Sequence, residues 1–174
     1  MATSSESVAQ STRQVGKMTL SLPSEREIVL TRTFDAPRRL VWEAYTRPEH
    51  LARWLGPRRY EIDPLDMDLR PGGRWRFVHR APDGGAHAFR GQFLAVEPPT
   101  RLVRTFEYEA FPGHVSVETA VFEEHDGKTT VTVTARFDSV EDRDGMLQSG
   151  MEDGAAESWD RLAELLAELQ AGGA

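Results

Sequence analysis

From residue 141 to residue 170 the chain repeats apolar side chains every three or four positions: Leu147, Met151, Ala155, Trp159, Leu162, Leu165, Leu166 and Leu169. That spacing sets them along one side of an α-helix, with Glu152, Glu157, Asp160, Arg161, Glu164 and Glu168 around the rest. One continuous helix over 141–170 is the expectation. A helix with a single apolar stripe must bury it, so the remaining chain has to supply a complementary face. The stripe is uneven. Its second half carries bulky leucines, whereas Gly150, Gly154, Ala155 and Ser158 fill little volume in the first half. Each interior glycine costs about 1 kcal/mol of helix stability relative to alanine, which asks for a local reason. Either another backbone comes close to the helix there, or open space lies beside it.

The complementary face comes from the middle of the chain. Residues 25–34 read as a strand, with Ile28, Leu30 and Phe34 on one side and Arg32 breaking the pattern. Asp35-Ala36-Pro37 opens a short helix, with Pro suited to its first turn and Asp to its cap. A second short helix over 49–55 ends at Gly56-Pro57. From Tyr60 onwards the period changes to two. Strands are expected over 60–69, 74–80, 86–96, 101–108, 115–124 and 128–137, with Pro64 marking a bulge or edge in the first. Tight turns at Pro82-Asp83-Gly84-Gly85, Phe111-Pro112-Gly113 and Asp126-Gly127 make their pairing antiparallel. The predicted fold class is therefore α+β: a curved antiparallel sheet wrapped around a long C-terminal helix, with two short helices after the first strand. A curled sheet facing small helical side chains leaves a pocket. Residues 1–24 are rich in Ser, Thr and Gln and read as a flexible tail before a domain at 25–170, although Met18, Leu20 and Leu22 alternate as an edge strand would.

Composition narrows the function classes. A net charge of −7, with basic residues scattered, argues against a nucleic-acid partner. The absence of cysteine removes disulfides, thiol nucleophiles and thiolate metal sites. No apolar run is long enough to cross a membrane and residues 1–17 lack the apolar block of a signal peptide, so a cytoplasmic protein is expected. No motif points to a cofactor, a metal or a catalytic triad.

Several short motifs occur in a telling order. Phe34-Asp35-Ala36-Pro37, Val41-Trp42-Glu43-Ala44 and Pro48-Glu49-His50-Leu51 are followed by Trp54 and Gly56-Pro57. Arg70-Pro71-Gly72-Gly73-Arg74-Trp75 and Pro98-Pro99-Thr100-Arg101-Leu102 come next, then Thr105-Phe106, Gly154, Trp159, Arg161-Leu162 and Leu165-Leu166. Over residues 26–169 the chain resembles the AHSA1-like domains, the "activator of Hsp90 ATPase homologue 1-like" members of the START-related helix-grip superfamily. The resemblance implies a deep cavity between sheet and long helix, commonly holding a hydrophobic small molecule. The superfamily spans lipid carriers, polyketide aromatases and cyclases, antibiotic-sequestering proteins and Hsp90 co-chaperone domains. Two positions depart from the family pattern: Leu55 stands where a second Trp is frequent, and Arg104 where an apolar residue is common. Fold does not fix function.

The candidate ligand-binding residues are Trp54, Trp75, Phe77, His79, Phe89, Arg104, Phe106, Tyr108, Met151, Ala155 and Trp159. His79 shares strand parity with Trp75 and Phe77, so it faces the core either as a hydrogen-bonded buried histidine or as a ligand contact. Arg104 shares parity with Leu102, Phe106 and Tyr108; facing inward, it demands an anionic or acceptor partner, while a one-residue bulge would turn it outward. The expected function is binding of a small apolar or amphipathic molecule, in a monomer or a homodimer. An aromatase- or cyclase-like enzyme is the alternative if His79, Arg104 or Tyr108 projects into the cavity, and a co-chaperone-like stimulator of an Hsp90-type ATPase is another.

Overall fold

A computed structural model describes residues 11–172. Ten strands form one antiparallel sheet: β1 (Ser11–Val15), β2 (Met18–Leu22), β3 (Glu27–Phe34), β4 (Glu61–Ile62), β5 (Asp66–Met67), β6 (Arg74–Arg80), β7 (Ala86–Glu97), β8 (Arg101–Tyr108), β9 (Val115–His125) and β10 (Lys128–Arg136). Their spatial order is β1-β2-β3-β10-β9-β8-β7-β6-β4, with β5 also paired to β6. Four helices accompany the sheet: α1 (Arg38–Thr46), α2 (Pro48–Trp54), α3 (Val140–Gln148) and α4 (Met151–Gly172).

The α+β architecture expected from the periodicity is present, and the sheet's inner face packs on α4. The strands alternate as the sequence does; in β3, Ile28, Leu30, Arg32 and Phe34 are buried and their neighbours are not. Trp159, Leu162, Leu165 and Leu166 of α4 meet that face. Asp126 and Gly127, both at positive φ, make the two-residue turn that sets the β9–β10 register from the His125–Lys128 pair onward. Pro64 interrupts the stretch expected as a single strand over 60–69, leaving the two short pieces β4 and β5.

Three expectations need correction. Residues 11–22 are not a flexible tail but a β-hairpin: β2 pairs with β3, and Met18 and Leu20 are fully buried. Residues 1–10 lie outside the described residues. The helix expected over 141–170 is broken, because α3 ends at Gln148 with Ser149 as its C-cap, and Gly150 takes φ +82 before α4 begins. A glycine in the left-handed region is a common helix terminator. Asp35 does not cap α1; the N-cap position is Pro37, and the Arg38 backbone N–H donates to Glu124 Oε1 at 2.7 Å. A sheet carboxylate satisfies the orphan donor instead.

Candidate functional site

The small residues at the start of α4 divide between the two readings the sequence left open. Ser158 accepts a hydrogen bond from the Gly56 backbone N–H at 2.7 Å, and Arg161 donates to the carbonyls of Gly56 and Arg53 at 2.8 Å each. These contacts clamp the exit of α2 against α4, and Gly154 lies against Pro57 at the same place. Ala155, one position on, faces space. A cavity of about 180 Å³ opens between α4, α2 and the sheet's inner face. At roughly 10–15 Å³ per water, it has room for on the order of a dozen waters or a compact organic molecule.

The walls are mostly apolar. Helices α1, α2 and α4 contribute Tyr45, Leu51, Trp54, Ala155 and Trp159; the sheet contributes Leu30, Trp75, Phe77, Phe93, Leu102 and Val133. Gly91 pairs with Trp75 across the ladder, and its missing side chain leaves space for the indole; a Cβ at Gly91 would fall 2.6 Å from Trp75 Nε1. Polar groups are few. Arg104 points inward and its Nε donates to Glu118 at 2.9 Å, while its guanidinium lies 4.3 Å over the Trp75 ring. The irregularity in the β7–β8 pairing falls between Phe93 and Ala95, after Arg104's partner Phe93, so it does not turn Arg104 outward. Trp159 Nε1 donates to the Tyr45 hydroxyl at 2.7 Å. Burial raises the Tyr45 phenol above its ordinary value, partly offset by that hydrogen bond and by Arg104. The Trp75 indole N–H is buried with no acceptor among the described residues.

Of the sequence-derived candidates, the structure brings Trp54, Trp75, Phe77, Arg104, Ala155 and Trp159 together at the cavity. His79, Phe89, Phe106, Tyr108 and Met151 are not among its lining residues. Four of these five continue an aromatic shelf from the cavity along β6, β7 and β8. Phe77 stacks on Phe89, Phe89 on Tyr108, and His87 Nδ1 meets the Tyr108 hydroxyl at 2.6 Å. Phe106 packs against both Trp75 and Phe89. Met151 packs, partly exposed, on the core at the start of α4. His79 stacks between Tyr60 and Phe77 and fills the place where a Gly56 side chain would go. It is buried, yet among the described residues its Nε2 finds no hydrogen-bond partner. That burial, with help from His87 and Arg161, lowers its pKa to about 4. Sequence reasoning noticed Ser158 only as a small side chain and missed Tyr45 and Glu118. Tyr45 looked like an ordinary apolar helix position, but Glu118 was within reach, because folding the chain at Phe111-Pro112-Gly113 places residue 118 opposite residue 104. Among the described residues, no group of three or more His, Cys, Asp or Glu side chains converges to hold a metal ion.

The family model for "Activator of Hsp90 ATPase homolog 1-like protein" matches residues 35–167. The chain belongs to this family. Solved structures share its architecture. A crystal structure of a protein from Rhodobacter sphaeroides is 25% identical, with a TM-score of 0.83 over 88% of this chain and 99% of that one. One from Nitrosomonas europaea is 28% identical, with a TM-score of 0.77 over 85% of this chain and 98% of the other. A third, from Mycobacterium smegmatis, is 27% identical, with a TM-score of 0.75 over 90% and 97%. No functionally curated protein matches. Among the described residues, no helix is long and apolar enough to cross a membrane.

Proposed function

We propose that this AHSA1-like protein binds a small, largely apolar molecule in the cavity between its sheet and α4. The observation that carries the reading is the cavity's make-up: about 180 Å³, walled by aromatic and aliphatic side chains, with the Arg104–Glu118 pair among its few polar groups. Burying apolar ligand surface there supplies affinity, and a few placed polar groups supply orientation. The cyclase-like alternative asked for His79, Arg104 or Tyr108 inside the cavity. Arg104 alone of the three lines it, and its Nε is engaged by Glu118.

The test is calorimetric titration with 2-acetylnaphthalene, a compact neutral aromatic ketone, on the wild-type protein and on Ala155→Trp. Saturable 1:1 binding is expected in the wild type, with loss of binding in a variant that still melts cooperatively. A stable Ala155→Trp with unchanged affinity overturns the reading. So does a wild type that binds nothing.

A further inference from the structure

An inward arginine in an apolar wall ordinarily advertises a site for an acid. Here the protein supplies the acid itself. Glu118 stands directly opposite Arg104 across the β8–β9 ladder and holds its Nε at 2.9 Å. The two side chains are similarly enclosed, 26% and 22% exposed. They are the charged residues of the lining, so its formal charge is zero. Hydrogen-bonding capacity is not balanced in the same way. The terminal nitrogens of Arg104 make no hydrogen bond among the described residues, and the Tyr45 hydroxyl accepts from Trp159 while keeping its own proton to donate. Against these donors stands mainly the carboxylate of Glu118. The site is rich in donors and neutral in charge.

A ligand carboxylate would satisfy the donors, but it would lose its hydration and enter the field of a fixed carboxylate a few ångströms away. A carbonyl or ether oxygen satisfies the same donors with neither penalty. We infer that the cavity selects neutral aromatic molecules bearing an oxygen acceptor over their carboxylate analogues, and that Glu118 is the residue that excludes the anion. Arg104 is held flat on Trp75 by the same ion pair, so its role is to present donors, not to provide net positive charge. This inference rests on the cavity being a binding site. It adds the chemical class of the occupant and names the residue that determines it.

The experiment compares 2-acetylnaphthalene with 2-naphthoate, which share ring and shape and differ in charge. On the wild-type protein at pH 7.5 (about neutral), the ketone should bind about tenfold or more tightly than the carboxylate, the scale set by one desolvated like-charge contact. Glu118→Gln keeps the side-chain shape and a hydrogen-bonding oxygen while removing the opposing charge. It should raise 2-naphthoate affinity about tenfold and so narrow or reverse the preference for the ketone. Equal or tighter binding of the carboxylate to the wild type overturns the inference while leaving the binding reading intact. Failure of both probes removes the binding reading and the inference with it. The wild-type comparison needs no variant, so poor folding of Glu118→Gln does not leave the question open. A ketone preference that stays unchanged in a folded Glu118→Gln shows that Glu118 is not the determinant and overturns that assignment.

Discussion

The imidazole of His79 lies stacked on Tyr60 with its Nε2 unpartnered and Gly56 pressed against its edge. Charging that ring inside the fold means desolvating a cation beside His87 and Arg161, which is why its pKa falls from 6.5 to about 4. The unfolded chain therefore binds this proton at a higher pH than the native state does. The linked stability is fully present above pH 6.5 and is lost as the pH falls toward about 4, reaching on the order of 3 kcal/mol there. Urea midpoints measured from pH 7.5 to about 4 should fall more steeply for the wild type than for His79→Gln, in which nothing titrates at that position. Parallel curves would show that His79 is not the group responsible. Residue parity made both His79 and Arg104 legible as inward-facing polar side chains. What each would find there was not, because a partner depends on strand register and on loops from elsewhere in the chain. Glu118 reaches Arg104 through the β8–β9 register, and Gly56 reaches His79 from the end of α2.

Two glycines that look alike in sequence do opposite work in the elements they belong to. Gly150 has φ +82 between α3 and α4, with open space where a Cβ would go. Gly154 is an ordinary helical residue of α4, and a Cβ there would make van der Waals contact with Pro57 Cγ at 3.5 Å. Alanine at position 150 must adopt a left-handed conformation that side chains resist, at a cost of about 1 kcal/mol or more. Alanine at position 154 keeps its conformation, gains helix propensity and adds a methyl contact, a stabilisation of about 0.5–1 kcal/mol. Denaturant midpoints of Gly150→Ala and Gly154→Ala should therefore move in opposite directions. A continuous helix would have moved both upward. The 3.6-residue apolar period runs unbroken through the joint, since Leu147 and Met151 are four apart, and for that reason the period concealed the break. The strands were more legible: β6 and β8 have the bounds expected of them, because their alternation is confirmed at both ends by turn residues that admit little else.

At the scale of the whole molecule, the hairpin β1–β2 carries the sheet past the segment that matches the family. That match begins at residue 35, yet Met18 and Leu20 are as buried as any side chain in the core. Leu20 sits opposite Leu30, which lines the cavity, so the hairpin extends the sheet beside that wall, on the far side of β3 from β10. Arg13 bonds both oxygens of Glu152 at the first turn of α4, joining the sheet's edge to the helix it curls toward. Composition concealed all this, because three alternating apolar residues among Ser, Thr and Gln are too few to identify a strand without its partner. The two hairpin contacts should differ sharply in weight. Leu20→Ala removes a fully buried side chain and should cost about 2–5 kcal/mol in urea unfolding. Arg13→Ala removes an exposed ion pair and should cost less than about 1 kcal/mol, shrinking further in high salt. A segment that was merely appended to the fold would show no loss in either variant. A large loss in Leu20→Ala alone would establish that residues 11–22 belong to the same cooperative unit as the cavity.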